Sequence, residues 1–387
     1  MTTAEHKKRN YAAVILAAGY SSRMGCLKAA LALNGATVVE RVVSIFRSNG
    51  VEQIIVVLGH RHSEIASLIK HKRVQIVENR NFDQGMFSSL KAGLTRIDTR
   101  KQAFFVMPVD VPLVRPQTVS VLIDVAESNR GTIVHPSCCG RRGHPPLIPM
   151  SLVPEIVDCD DPCGLRGFLS KKEKQSVEVE VADRFILFDI NYPQEYKKML
   201  ARLRSYDIPS GLECGVILNR IWRANDKLLR HSYSVAALAS IFGKNCLKSG
   251  ISLDLNLLQA AAVLHDIAKG QKNHARAGGE WLRKMGFDRV ARIVETHHDL
   301  QFKAGDRIGE AEILYLADKL IQEDDIVGLE IRFASSLKRY GNSPEIRSKI
   351  GRRMDTAVQI KNELETILNQ SLDQLCIQFR SHSLSPK

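Results

Sequence analysis

The reading of this chain turns on Ala12-Ala13-Val14-Ile15-Leu16-Ala17-Ala18-Gly19-Tyr20-Ser21-Ser22-Arg23-Met24-Gly25, followed by Lys28. Its first half is an apolar run with no polar interruption, the pattern of a strand buried on both faces of a parallel sheet. Its second half breaks into Gly, Ser and other small residues, which let backbone N–H groups come close to a ligand. Arg23 and Lys28 place positive charge at the same mouth. A strand that ends in a small-residue loop beside cations is what a nucleotide's phosphates need. The spacing is neither the Walker pattern nor the GxGxxG fingerprint.

Outward from this stretch, short apolar strands alternate with amphipathic helices as far as residue 204. Helices are expected over 38–48, from Ser63 to 71, over 88–97 and from Pro116 to 128. Strands are expected over 53–58, 74–77, 103–107 and 132–134. This βαβα rhythm predicts a doubly wound, mostly parallel α/β sheet. Such sheets bind ligands at the carboxyl ends of their strands, where the opening loop, Gly59-His60, Asn79 and Asp110 all fall. Asp207-Ile208-Pro209-Ser210-Gly211 is turn chemistry, and the strand signal then fades. The expected organisation is a flexible arm over 1–10, an α/β domain over 11–204 and a linker over 205–216. An all-α domain over 217–380 and a disordered tail over 381–387 complete it. The helices of the second half are expected near 217–225, 231–242, 255–269, 274–284, 290–298 and 310–323, with Asp254 and Asp288 as N-caps.

A length of 387 residues favours two domains. No apolar run reaches membrane-spanning length, which argues against a membrane protein. Eight cysteines without a C-x-x-C pair, and no signal-like leader, point to a reduced, cytoplasmic chain. The formal charge of +13 favours anionic partners without choosing among them. The basic helix near Arg332, Lys338, Arg339, Arg347, Lys349, Arg352 and Arg353 reads as a solvated face.

Asp110 follows the strand at 103–107, beside the phosphate loop, and is placed to hold Mg²⁺. Asp189 and Asn191 alternate along what reads as a strand end and so point to one side. Together with Lys28 and Arg23 they form a minimal kit for moving a nucleotidyl group, with metal and cations neutralising charge on the α-phosphate. The run Leu16-Ala17-Ala18-Gly19-x-Ser21-x-Arg23-Met24-Gly25-x-x-Lys28 resembles the signature of the nucleotidyltransferases that attach CMP or GMP to molybdopterin. Further matches are Asn79-x-x-Phe82-x-x-Gly85-Met86-x-x-Ser89-Leu90-x-x-Gly93, Asp110-x-Pro112-Leu113, Gly143-His144-Pro145 and Asp189-Ile190-Asn191-x-Pro193-x-x-Tyr196. The resemblance covers residues 11–200 and leans to the cytidylyl branch. It implies a Rossmann-like nucleotidyltransferase fold. It also implies that Leu16, Ala17, Ala18, Gly19 and Arg23 hold the triphosphate, with Gly59, Ser89 and Asp110 in the same nucleotide-binding set. Lys28 and Arg23 would stabilise charge during transfer, and Asp110, Asp189 and Asn191 would hold Mg²⁺. The closing motif is usually Asp-Ile-Asp-Thr-Pro, so Asn191 and Tyr192 depart from it, and the second metal contact is weakened.

In the second half, His265-Asp266 ends an apolar helix, His231 lies on an earlier one, and Asp318 shares a helical face with Leu314 and Ile321. A carboxylate on an apolar face is costly to bury without a partner, and a metal offsets that cost. Imidazole and carboxylate together suit a transition metal such as Mn, Fe or Ni. These residues resemble the HD metal-dependent phosphohydrolase superfamily over residues 227–325. The resemblance implies a metal held by His231, His265, Asp266 and Asp318 and a water activated against phosphorus, with Lys269 near the substrate phosphate. His274, His297 and His298 are further ligand candidates. His297 faces inward with Val290 and Ile293, and His298 then points elsewhere.

The expectation is a bifunctional enzyme. CTP (or GTP) would donate a nucleotidyl group to molybdopterin, the product would pass to a molybdenum hydroxylase apo-enzyme, and the second half would cleave a phosphate ester. One alternative is a transferase of other specificity whose HD half is a non-catalytic nucleotide sensor or cofactor carrier. A third reading, RNA-directed nucleotidyl transfer, lacks its Gly-Ser loop and Asp-x-Asp pair here. Nucleic acid is therefore not an expected partner.

Overall fold

The computed structural model describes residues 9–71, 73–303 and 305–383. Residues 1–8 of the expected arm and 384–387 of the expected tail lie outside them. The chain divides into two compact units between residues 205 and 206. Among the described residues, no helix is long and apolar enough to cross a membrane.

The first unit runs β1 (Arg9–Ala17), the ribbon β2 (Ala32–Leu33) and β3 (Ala36–Thr37), α1 (Val38–Arg47), β4 (Val51–Leu58), α2 (His62–Leu68) and β5 (Val74–Glu78). It continues with α3 (Met86–Leu94), β6 (Ala103–Pro108), α4 (Pro116–Ser128), β7 (Ile133–Cys138), β8 (Arg141–Arg142) and β9 (Leu147–Pro149). The unit closes with α5 (Val153–Asp158), α6 (Gly164–Ser170), β10 (Ser176–Glu180) and α7 (Pro193–Leu203). The main sheet has the order β10-β7-β9-β6-β1-β4-β5, with β8 hairpinned onto β7. β1 pairs in parallel with β4 on one side and β6 on the other, so both edges of its backbone are satisfied. β9 is inserted antiparallel between β6 and β7, which makes the sheet mostly rather than wholly parallel.

Both faces of β1 are covered, as its unbroken apolar run predicts. Val14 and Leu16 join Leu90 and Leu94 of α3, Ile156 of α5 and Phe168 of α6 in one core. On the opposite face Phe46 of α1 meets Phe105 of β6, ring centroids 5.3 Å apart. Gly93 lets α3 approach the sheet, since a Cβ there would run into Val14 and Val57. The second helix starts at His62, one residue before Ser63, and Ser63 does not cap it.

The second unit is helical: α8 (Gly211–Gly215) with a π-helical turn (Val216–Ile221), α9 (Asp226–Lys248), α10 (Leu255–Leu264), α11 (His274–Lys284) and α12 (Asp288–Thr296). After α13 (Glu310–Leu320) comes the ribbon β11 (Ile321–Gln322) and β12 (Asp325–Ile326), then α14 (Leu329–Tyr340), α15 (Pro344–Leu368) and α16 (Leu372–Ser383). α9 starts earlier and runs longer than expected, and α10 stops at Leu264, so that His265 and Asp266 lie just past its end. Two points of organisation also differ. The segment 205–216 is not simply a linker, because Ser210 and Glu213 form a reciprocal capping box that starts α8. The domain is not purely α, because α13 runs into the β11–β12 ribbon. Asp254 caps α10 through the Asn256 and Leu257 amides, whereas Asp288 is the first residue of α12 rather than its cap. α10 buries six of its ten residues and α13 the eight from Ile313 to Leu320, and both pack against α9.

Candidate active sites

The site of the first unit is assembled from three strand ends. The Leu16 carbonyl accepts the Val109 amide and the Ala18 carbonyl accepts the His60 amide, tying the loops after β1, β4 and β6 together. Ser21, in the left-handed region at φ 55°, turns the loop back, and its Oγ accepts the Lys28 amide at 3.2 Å. Gly59 has no room for a Cβ, which would collide with Phe82 and the Ala18 carbonyl. Arg23 is exposed and stands with its guanidinium 5.9 Å from the Tyr192 ring. Tyr192, one of the two motif departures, therefore flanks the loop cation.

Lys28 is the hub. Its Nζ donates to Asp110 Oδ2 at 3.0 Å and to Asn191 Oδ1 at 2.8 Å, and Asn191 Nδ2 donates to Asp189 Oδ2 at 2.6 Å. Thus Lys28, Asp110, Asp189 and Asn191, 163 residues apart at the extremes, form one connected cluster. Asp189 and Asn191 do not lie on a strand, however. They sit in a loop after a 3₁₀ turn, Arg184–Leu187. Three bonds place that loop. The Ile190 amide donates to the Asp110 carbonyl at 2.9 Å, and Glu195 Oε2 accepts the Asn191 and Tyr192 amides. Glu195 was not among the expected residues, although a Glu three residues into a Pro-started helix is a capping signal. Upstream, Asp183 is buried and accepts from the Arg115 and Phe185 amides, the Arg115 guanidinium and the Thr118 hydroxyl. Ser89 is buried, and its Oγ accepts from the Asn79 side-chain amide at 3.0 Å at the end of β5. Beside the cluster, burial pushes the His144 imidazole below its ordinary value, although the Asp110 and Asp189 charges oppose that.

The second unit gathers six side chains into two sets, His231, His265 and Asp318, and Asp266, His274 and His297. Within each set the nearest ligand atoms all lie within 4.8 Å of one another. Asp266 connects them. Its Oδ2 is 3.8 Å from His231 Nε2 and 3.6 Å from His265 Nε2, while its Oδ1 is 3.3 Å from His274 Nε2 and 3.7 Å from His297 Nε2. Asp318 Oδ1 is 3.2 Å from His231 Nε2 and 3.5 Å from His265 Nε2.

Three of the imidazoles are held from behind. His231 Nδ1 bonds the Glu323 carbonyl at 3.0 Å, His265 Nδ1 the Ala262 carbonyl at 2.8 Å and His297 Nδ1 the Val294 carbonyl at 2.6 Å. A carbonyl only accepts, so each Nδ1 carries a hydrogen, and in the neutral ring each Nε2 turns a lone pair to the centre. The β11–β12 ribbon supplies the Glu323 carbonyl, with Glu323 at φ 61° in its turn. His265 is 0% exposed and its Nε2 has no hydrogen-bond partner. A buried lone pair without a donor fits a metal ion. The two carboxylates fit it as well. Burial alone would raise them, but the surrounding imidazoles and ammonium groups hold Asp266 and Asp318 well below the usual carboxylate range. Burial pushes His265 down, and Asp266 and Asp318 overcome it and pull the ring above its ordinary value, so the site calls for positive charge.

Lys269 is paired to Asp266 Oδ2 at 2.5 Å, with its side chain 56% exposed. Lys319, not among the expected site residues, is buried, with its Nζ on Asp318 Oδ2 at 2.6 Å and the His297 carbonyl at 3.3 Å. His298 belongs to neither ligand set. Its ring lies 5.0 Å from the His274 ring, and its Nδ1 is 3.2 Å from Arg353 Nη2.

A family model for the MobA-like NTP transferase domain matches residues 13–177, and one for the HD domain matches residues 228–322. Among curated proteins, the chain is 26% identical over 187 residues to the molybdenum cofactor cytidylyltransferase of Escherichia coli (strain K12), spanning 47% of this chain and 92% of that one. It is 27% identical over 195 residues to the nicotine blue oxidoreductase of Paenarthrobacter nicotinovorans, 48% of this chain and 95% of that one. A solved nucleotidyl transferase from Methanothermobacter thermautotroptrophicus superposes with a TM-score of 0.45 at 25% identity, covering 50% of this chain and 97% of that one.

Proposed function

We propose, from the premise that this chain joins a MobA-like NTP transferase domain to an HD domain, that it is a bifunctional enzyme. Its first unit transfers CMP from CTP to molybdopterin, and its second is a metal-dependent phosphohydrolase. The observation that carries the first half is the Lys28 ammonium suspended between Asp110 and Asn191 at the mouth of the β1 loop. Mg²⁺ supplies charge neutralisation of the triphosphate when bound, with Asp110, Asp189 and the Asn191 carbonyl as its protein oxygens. In this reading Lys28 follows the charge that develops on the α-phosphate, and Arg23 holds the outer phosphates. The relative named as a cytidylyltransferase supports CTP and a molybdopterin acceptor. The test is incubation with molybdopterin, Mg²⁺ and either CTP or GTP. Pyrophosphate release with CTP and its loss in Lys28→Ala are expected; no release with either nucleotide overturns the reading.

The second half rests on the unpartnered His265 Nε2 and on Asp266 facing both histidine sets. This geometry supports a two-ion centre of Mn, Fe or Ni, which supplies Lewis acidity and an activated water when loaded. Lys269 would steady the substrate phosphate. Metal analysis of the purified chain, followed by assay on p-nitrophenyl phosphate, tests this. About two ions per chain and turnover are expected. A metal-loaded but inert HD unit would instead favour a sensor or carrier. A relative of comparable identity is named an oxidoreductase rather than a transferase, so the same assay also tests whether the first unit transfers a nucleotidyl group at all.

A further inference from the structure

We propose that Arg353 and His298 form an anion-binding rim at the HD centre, which takes the second phosphate of a substrate carrying two adjacent phosphate groups. The proposal deepens the hydrolase reading and rests on it for where the first phosphate sits.

The observation that carries it is a reversed tautomer. His231, His265 and His297 donate through Nδ1 to backbone carbonyls, which leaves Nε2 free to ligate. At His298 the hydrogen-bond partner of Nδ1 is Arg353 Nη2, at 3.2 Å, with Asp299 Oδ2 beyond hydrogen-bond reach at 3.7 Å. A guanidinium has no acceptor, so it donates and His298 Nδ1 accepts. The hydrogen of a neutral His298 then sits on Nε2. His298 is a hydrogen-bond donor where these three are lone-pair ligands, and it lies outside both ligand sets.

Arg353 is not a solvated residue of a basic helix. It comes from α15, beyond the stretch that matches the HD family. Its side chain is 22% exposed, and its Nε donates to Asp299 Oδ1 at 2.7 Å. Its own carbonyl accepts the Tyr315 hydroxyl at 3.0 Å, which pins this turn of α15 to the helix that bears Asp318. The guanidinium is thus preorganised beside His298, whose ring lies 5.0 Å from the His274 ring at the edge of the centre. Asp299, 66% exposed, is the carboxylate that an incoming anion displaces.

Charge points the same way. Lys269, Lys319 and Arg353 balance Asp266, Asp318 and Asp299 before any ion is bound. Divalent ions then leave the site with excess positive charge, suited to a polyanion. A single phosphate held at the two ligand sets has no need of donors one ring away, whereas an adjacent second phosphate does. Arg is the side chain whose fork matches it.

The test uses the full chain, loaded with Mn²⁺, in a Lys28→Ala background that silences the transferase loop. Inorganic pyrophosphate and orthophosphate are titrated in by calorimetry, and Asp266→Asn marks the heat that belongs to the HD centre. Arg353→Gln is expected to lower the ratio of pyrophosphate to orthophosphate affinity about tenfold, and Arg353→Lys to recover part of it. If Arg353→Gln also strips metal, His298→Phe carries the test, since it removes the Nε2 donor and leaves the Arg353–Asp299 pair. An unchanged ratio in the variants, or no pyrophosphate heat that depends on Asp266, overturns the rim. Arg353-dependent binding without hydrolysis of any phosphoester supports the rim and rejects the hydrolase reading. Hydrolysis of p-nitrophenyl phosphate with an unchanged affinity ratio does the reverse.

Discussion

The two candidate sites are built on opposite plans. The first unit keeps its charged groups on loops, at the carboxyl ends of parallel strands, and leaves them partly open to water. Lys28 and Asp110 are 13% and 23% exposed, and each is satisfied by the other. The second unit buries its charged groups among helices, with His265, Asp266 and Asp318 all below 10%. There the backbone itself aims the ring nitrogens. A loop site can lose a side chain and keep its fold, because the sheet beneath it is complete without that side chain. A helix-buried centre is part of the core, so chemistry and stability are lost together.

The largest effect should come from Asp266→Asn. It removes the carboxylate that faces both histidine sets, and the hydrolytic rate is expected to fall on the order of a thousandfold with loss of bound metal. Metal analysis together with differential scanning should show the melting of the helical unit move down with it. If metal is lost while melting stays put, the contrast between the units breaks. Lys28→Ala is expected to cut nucleotidyl transfer about a hundredfold. Its melting temperature should shift by no more than about 2–4 °C, the scale of one partly exposed ion pair. A larger drop would place Lys28 in the fold as well as the site.

The contrast has a pH signature. His135, buried in β7 with an unpartnered Nε2, is pushed by burial, and then by the Arg142 charge, down to about 4. The unfolded chain takes up that proton near 6.5, so it binds more protons than the folded chain between 6.5 and 4. Stability of the first unit should therefore fall across that window and level off below it, by roughly 3 kcal/mol at the limit. His135→Gln should flatten the slope in pH-dependent denaturant titrations. In the chelated protein His265 runs the other way. Its carboxylate neighbours raise it above 6.5, so its contribution is present below 6.5 and is lost as pH rises through the raised value. The smallest effect is expected of Asn191→Asp, which should tighten the apparent Mg²⁺ affinity of transfer about threefold. An activity titration against Mg²⁺ checks it, and weaker Mg²⁺ dependence would show that repulsion from Asp189 outweighs the added ligand charge.

Much of this was legible in the chain. The apolar run ending at Ala17 announced its own burial, and the spacing around His265-Asp266 announced helices with inward polar groups. Local chemistry of that kind is written locally. What stayed hidden depends on partners far away in sequence. Leu147-Ile148-Pro149 is too short and too Pro-bound to read as a strand, yet it enters the sheet between β6 and β7 because two edges await it. Asp189 and Asn191 alternate like a strand but have no strand to pair with, and it is Lys28 and Glu195 that bring them to the site. The Glu323 carbonyl is invisible as a residue type, since any residue in that turn would present one. Arg353 was masked by its company, six other cations on the same stretch of helices, and only packing separates it from them.

The shared carboxylate of Asp266 has a thermodynamic corollary. Each of its oxygens faces a different histidine set, so two ions bound there could not be independent ligands of the protein. An ion in one set would turn the carboxylate and draw electron density from it, which changes what the other set offers. Linkage makes that influence mutual: whatever factor the first ion imposes on the affinity of the second, the second imposes on the first. The centre would then load and empty as a coupled pair, with the coupling factor setting how steeply its occupancy follows the free metal concentration.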